Sequence, residues 1–170
     1  MLAIVEKPMA TDWTKKAGEI AATIAEHAAR HDADDSFVAE GFAALSEAEF
    51  FAALVPEDLG GGGASVGEIS ETIRIIGAAC GSTALAASMH SHVVAVAAWR
   101  WKHQGAPTEA LLKRIAAEKL KMVSSGGSDW LNSAGKLEKV EGGYRFTARK
   151  AFASGSPAGD LLGSSGVYDD

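Results

Sequence analysis

The chain has little that would tie it to an oxidising compartment, to nucleic acid or to a membrane. Cys80 is its only cysteine, so an internal disulfide framework is excluded and a reducing compartment is expected. It falls on an apolar helical face beside Ile73 and Ile76, which suits a packed side chain rather than a reactive thiol. Basic residues number 16 against 22 acidic ones, a formal net charge of −6. Lys15, Lys16, Arg74, Lys113, Lys119, Lys121, Arg149 and Lys150 are scattered and form no stripe. Binding a phosphate backbone needs clustered cations, so no nucleic-acid partner is expected. The longest apolar segment, Leu85 to Trp99, is interrupted by Ser88, His90, Ser91 and His92. It is too short and too polar to span a bilayer. Met1 to Val5 is too short for a secretory apolar region, and Glu6 follows at once. A cytoplasmic protein with no membrane partner is expected.

Two common catalytic signatures are also missing. Gly60 to Gly63 precede Ala64-Ser65, where a phosphate-binding Walker loop requires lysine before the hydroxyl. No buried strand precedes that run either, as a dinucleotide fingerprint requires. A flexible turn between helices is the reading. Gly155-Ser156-Pro157-Ala158-Gly159 places proline at the centre, so there is no nucleophile elbow of the hydrolase kind.

What is present is a composition of 47% hydrophobic and 22% charged residues over 170 positions, enough for one domain or two small ones. The first two thirds carry helical periodicity. Trp13, Ala17, Ile20, Ala21, Ile24 and Ala28 share a face, and His31 to Asp35 reads as a solvated break. Phe37, Val38, Phe42 and Leu45 predict a second helix, and Ser46-x-x-Glu49 a capping box that opens another turn. Ser65-x-x-Glu68 is a second such box, ahead of Val66, Ile69, Ile73, Ile76 and Cys80. Thr83 to about Trp101 is Ala-rich and apolar nearly all round, which predicts a helix buried in the middle of a bundle. Pro107-Thr108 starts a last helix through Leu111, Leu112 and Ile115.

Around residue 119 the period changes. Leu137 to Val140, Gly142-Gly143, and Tyr144 to Ala148 read as a hairpin with a Gly-Gly turn and one wet face. Leu161, Leu162, Val167 and Tyr168 suggest a further strand. The predicted fold is α+β: an all-α helical domain over 1–118 and an incomplete β-domain over 119–170. Two or three strands do not close a sheet alone, so further strands are expected from another chain, or an exposed edge.

Histidines are the remaining candidates. His27 and His31 stand four apart, a spacing that two metal ligands can share, but no third ligand follows at a matching spacing. His90 and His92 point in different directions on a helix. His90 reads as a core histidine or, alternatively, as a residue lining a substrate cavity.

Gly126-Gly127-Ser128-Asp129, the strand pair, Gly143-Tyr144 and Lys150-Ala151-Phe152-Ala153-Ser154-Gly155 follow one another in an order and spacing that resembles the flavin-contacting part of the acyl-CoA dehydrogenase family. The helical half is similar too, in Val55-Pro56-Glu57-Asp58-Leu59-Gly60-Gly61 and in the Gly81-Ser82-Thr83 break before Ser88-Met89-His90-Ser91. The resemblance implies the family's helical bundle followed by the start of its β-barrel domain, and FAD as cofactor. It implies oxidation of a CH–CH group in an acyl-CoA or related substrate, within lipid metabolism. Carried over by position, Ser128 would reach flavin and substrate, and Gly127 would allow close backbone approach. Phe152 would pack on the ring where the family usually has Trp, with Ser154 near it as the hydroxyl. The family's carboxylate base would lie outside this chain. The resemblance also implies a homo-oligomer, or a complementing C-terminal chain.

One departure stands out. The family commonly has Thr-Glu-Pro ahead of its Gly-Ser-Asp turn, and this chain has Met122-Val123-Ser124. Ser124 or Ser125 would replace the lost hydroxyl. The change brings forward a sister group of the same fold, the two-component flavin monooxygenases, with reduced FMN or FAD as co-substrate and with His90 or His92 serving the site. A third reading is a non-catalytic helical assembly module.

Overall fold

The structure, a computed structural model, describes residues 11–125 and 127–168, and the side chains of Ser128 and Trp130 lie outside that description. Helix α1 (Trp13–Asp34) begins where Asp12 caps it, accepting the Lys15 N–H at 3.0 Å. Its face of Trp13, Ala17, Ile20 and Ile24 is buried as the periodicity predicts. The solvated break begins later than the sequence suggests: the helix runs through a buried His31 to Asp34, Asp32 to Asp35 are exposed, and Asp35 ends it with φ 53°. The reason is a partner that periodicity does not show. His31 is buried because Nδ1 meets Ser36 Oγ at 2.6 Å and Nε2 meets Glu40 Oε2 at 2.7 Å.

Helix α2 (Ala39–Glu47) absorbs Ser46, so that serine caps nothing. Glu49 takes φ 61°, and a short 3₁₀ turn (Phe50–Ala52) follows without a side-chain cap bond. Helix α3 (Val66–Ala79) does have its box: Ser65 Oγ accepts from Glu68 N at 3.2 Å, and Ser65 N donates to Glu68 Oε2 at 2.8 Å. Helix α4 (Gly81–Gln104) starts at once, with Cys80 Sγ accepting the Thr83 N–H at 3.5 Å. It packs against α3, helix α5 (Glu109–Glu118) and strand β1 (Met122–Ser124). Those neighbours cover only part of its circumference. Leu85, His92, Val96 and Trp99 are exposed, contrary to the expectation of burial all round.

At Gly41 α2 comes so close to α4 that a Cβ would lie 2.6 Å from Thr83 Oγ1 and 3.3 Å from Thr83 Cβ. Thr83 is wholly buried and β-branched, so it has nowhere to turn. Gly41→Ala is therefore expected to destabilise the protein by about 1–3 kcal/mol, an overpacking cost that urea unfolding reads directly.

The strands form two small sheets rather than a barrel. β1 pairs in parallel with β4 (Leu161–Gly163). β2 (Gly135–Val140) pairs antiparallel with β3 (Gly143–Ala148) and parallel with β5 (Val167–Tyr168). Val140 faces Gly143, so the hairpin turn is Glu141-Gly142 with Gly142 at φ 79°, one residue earlier than predicted. The single expected strand over 161–168 is two strands in different sheets. All six residues of β3 are exposed, so the hairpin has no dry face among the described residues.

The apolar interior has two parts. Trp13, Ile24, Phe42, Phe51 and Ile76 pack together in one, and Val55, Val94, Leu112, Ile115 and Met122 in the other. Met122 thus carries β1 into the helical core. No helix among the described residues is long and apolar enough to cross a membrane.

Candidate functional site

Three ties fix β1, one to α4 and two to the β4 segment. His90 is 3% exposed, and its Nε2–H donates to the Phe51 carbonyl at 2.8 Å while Nδ1 accepts the Met122 N–H at 2.9 Å. Its ring stands edge-on to Phe51 with centroids 5.0 Å apart. Lys121 N donates to Asp160 Oδ2 at 2.7 Å, and the Lys121 ammonium lies 2.8 Å from the same oxygen. Backbone pairing with β4 is the third. His90 is a core histidine, not a cavity residue, because both ring nitrogens are engaged by the backbone. Burial holds its pKa down to about 4 from 6.5, with Lys121 and His92 pushing the same way and the Phe51 bond opposing.

These ties deliver Ser124 and Ser125 to the end of β1, at 1% and 2% exposure. With Met89, His92 and Gly127 they line a cavity of about 320 Å³. They also line a neighbouring one of about 370 Å³, together with Val93, Ser133 and Gly163 to Ser165. The first lies between α4, the end of β1 and Gly127, and the second between α4, the end of β1 and the chain around β4. His92, rather than His90, is the α4 histidine on the wall. Its Nδ1–H donates to the Ser88 carbonyl at 3.3 Å.

A carboxylate organises the second cavity. Asp129 sits in the one-turn helix α6 (Gly127–Leu131), where the sequence suggested an open turn. Its Oδ1 accepts from Lys150 Nζ at 2.5 Å and Ala134 N at 2.8 Å, and its Oδ2 from Ser125 Oγ at 2.6 Å. Lys150 Nζ also donates to the Ser165 carbonyl at 2.7 Å. The Asp129 and Lys150 side chains are 7% and 8% exposed. Lys150, then Ser125 and the Ala134 amide, hold the Asp129 pKa well below the usual carboxylate range, against an opposing effect of burial.

The predicted site residues thus divide. Ser124, Ser125 and Gly127 come together on one cavity. The Ser128 side chain, like Gly126, lies outside the described residues. Phe152 is 82% exposed at φ 58°, and Ser154 is half-buried in the turn that follows. Neither lines the two cavities. Sequence reasoning missed Asp129 and Lys150 as a pair, and Met89, Val93, Ser133 and Ser165 as wall residues. Asp129 and Lys150 stand 21 positions apart, so no local spacing announces them. Among the described residues no cluster of three or more His, Cys, Asp or Glu could hold a metal ion.

Ser124 Oγ is fully buried with no hydrogen-bond partner, although a buried hydroxyl ordinarily has one. A Cβ built at Gly127 meets nothing within 4 Å, so the backbone there borders open space.

Known proteins are similar to this chain in sequence or in fold. The chain is 27% identical over 157 residues to a pigment production hydroxylase of Rhodococcus sp. (strain ATCC 21145), covering 92% of this chain and 38% of that one. It superimposes on nitrososynthase from Micromonospora carbonacea var. africana with a TM-score of 0.82 at 21% identity, over 96% of this chain and 43% of that one. Its TM-score is 0.78 at 19% identity against the dibenzothiophene monooxygenase TdsC of Paenibacillus sp. A11-2 bound to FMN and indole, over 94% and 39% of the two chains. The chain spans less than half the length of each. Residues 12–119 match the N-terminal domain of acyl-CoA dehydrogenases. The chain therefore belongs to the acyl-CoA dehydrogenase family.

Proposed function

We propose that this chain supplies the flavin-facing part of a flavin-dependent monooxygenase rather than of an acyl-CoA dehydrogenase. The observation that carries the reading is the pair of cavities at the end of β1, whose shared wall holds the unpartnered Ser124 hydroxyl. Three further facts support it. Met122-Val123-Ser124 stands where dehydrogenases commonly have Thr-Glu-Pro, and a histidine side chain borders the cavity. Relatives of the fold include a hydroxylase and monooxygenases.

Reduced flavin, when bound, supplies the two electrons with which molecular oxygen is activated for insertion of one oxygen atom into substrate. The residues of this chain bind and orient. Ser124 offers a hydroxyl donor, and Gly127 lets the backbone approach the ring. Phe152 presents an apolar face for packing, with the Ser154 hydroxyl two residues on. His92 adds an imidazole edge to the α4 wall of the cavity. Met89 and Val93 give the wall its apolar part. The further domain or partner chain that completes the exposed β2–β3 sheet would close the site from the other side.

Flavin titration with fluorescence quenching tests the reading. Uptake of FMN or FAD is expected, with the bound flavin keeping its absorbance when straight-chain acyl-CoA is added anaerobically. Bleaching by acyl-CoA would restore the dehydrogenase reading. A chain that forms defined oligomers and takes up neither flavin would be an assembly module.

A further inference from the structure

We propose that the enclosed pocket between the start of α1, the end of α2 and the Gly60–Gly62 turn binds a compact carboxylate with a flat apolar body, its charge met by the Lys16 ammonium and the Ser46 hydroxyl. The inference is independent of the flavin reading, because this pocket shares no lining residue with the two cavities at the end of β1.

Size and wall set the body of the ligand. The pocket holds about 140 Å³, close to the ~150 Å³ of a cavity that admits benzene. That is too little for a tricyclic isoalloxazine. Its apolar wall is made by Trp13, Phe51 and Ala116. Trp13 and Phe51 are buried, and Trp13 is fixed edge-on against Phe50, so a ligand pays little to order them.

The charges set the other end. Lys16 is half-buried, its ammonium lies 5.2 Å from the centre of the Trp13 ring, and it meets no carboxylate among the described residues. A partly buried cation without an acid leaves a charge for a ligand to meet. The start of α1 adds to it. Past the Asp12 cap no acidic residue stands in the first turn, so the positive end of the helix and Lys16 draw an anion together. Glu49 is the acid on the pocket's lining, and Lys119 engages it at 3.4 Å. Both of those side chains are more than half exposed, so the pair stands at the solvent edge.

Ser46 supplies the neutral donor. It sits half-buried in the last turn of α2, and its hydroxyl makes no hydrogen bond among the described residues. Even the local bond to a carbonyl one turn back, common for a helical serine, is not made.

The backbone decides against a phosphate. The amides of Gly60, Gly61 and Gly62 are spent on the carbonyls of Glu57, Pro56 and Ala52, at 2.9, 3.2 and 3.1 Å. They leave no nest of N–H groups for a dianion, and no arginine lines the pocket to grip one in two places. One ammonium and one hydroxyl match one carboxylate.

Benzoate is the probe, titrated into the full chain while the Trp13 indole N–H is followed by NMR. Saturable binding is expected, with shifts at Trp13 and Ser46 and none at His92. Benzyl alcohol, of similar shape without the charge, should bind about tenfold more weakly, the scale of one charge-assisted hydrogen bond. Inorganic phosphate should not saturate the site. Lys16→Gln is expected to weaken benzoate about tenfold as well. Lys15→Gln, at an exposed neighbour that does not line the pocket, should leave it unchanged. Ala116→Leu fills the space and should abolish binding while the helical circular dichroism is kept. Benzoate affinity that Lys16→Gln does not lower, or that Lys15→Gln lowers as much, overturns the inference. Phosphate bound as tightly as benzoate, or benzoate that shifts His92 rather than Trp13, overturns it too. A chain that benzoate never saturates does the same, and leaves FMN uptake at the end of β1 as a separate question.

Discussion

Replacing His90 with alanine is expected to destabilise the protein by about 4 kcal/mol at pH 7 and to change how stability depends on pH. The first effect sums a large buried side chain removed from between α4 and Phe51 with two backbone groups, Phe51 C=O and Met122 N–H, left without their partner. The second follows from protons. Unfolded histidine takes up a proton as pH falls through 6.5, whereas the folded residue stays neutral until about 4. Protonation would put a hydrogen on Nδ1, against the Met122 N–H. His90 therefore contributes its full stability above pH 6.5, loses it progressively as pH falls toward 4, and changes nothing further below. A shift of this size corresponds to ~3 kcal/mol across that window. Urea unfolding at pH 7 and pH 4.5 reads it: the gap between wild type and His90→Ala should be smaller at the lower pH. Equal gaps would show that His90 is not held neutral.

Lys150→Met is the second substitution with a large expected effect. It keeps the length of the side chain but leaves the Asp129 carboxylate buried without its cation. Removing one partner of a buried pair costs far more than the pair itself contributes. The midpoint of thermal unfolding is expected to fall on the order of 5–10 °C for a chain of this size. Arg74→Met, which breaks the exposed pair with Glu71 at 2.6 Å, should leave it nearly unchanged. Adding Asp129→Asn to Lys150→Met should recover part of the loss, since the stranded charge is gone. If Lys150→Met and Arg74→Met behave alike in calorimetry, the Asp129–Lys150 pair does not hold the cavity walls together.

The helical half was legible because its signals are local. An apolar stripe places α1, and a serine three residues ahead of a glutamate caps α3. Where reading failed, the deciding partner was distant. His31 looks like part of a polar break until Glu40, nine positions on, buries it in hydrogen bonds. Ser46 has the spacing of a cap but lies inside α2, whose own carbonyls take the N–H groups of Ala48 and Glu49. Helix α4 has apolar residues on every side, so composition cannot tell its covered face from its open one. Of the candidate site, Ser124, Ser125 and Gly127 were found through the order of motifs, which preserves a turn. His90 and His92 stand two apart on one helix, and only packing decides that the first serves Met122 and the second the cavity wall. The carboxylate that organises that wall was in plain view in Gly126-Gly127-Ser128-Asp129, but its role depends on a lysine beyond the hairpin.

The central claim is that flavin seats at the end of β1, beneath α4. Hydrogen–deuterium exchange of the chain with and without FMN tests it most directly. Slower exchange is expected at Met122 to Leu131 and around His92, with the α1–α3 packing unaffected. Protection confined to the Gly60–Gly62 side of the bundle, or none at the end of β1, would contradict it.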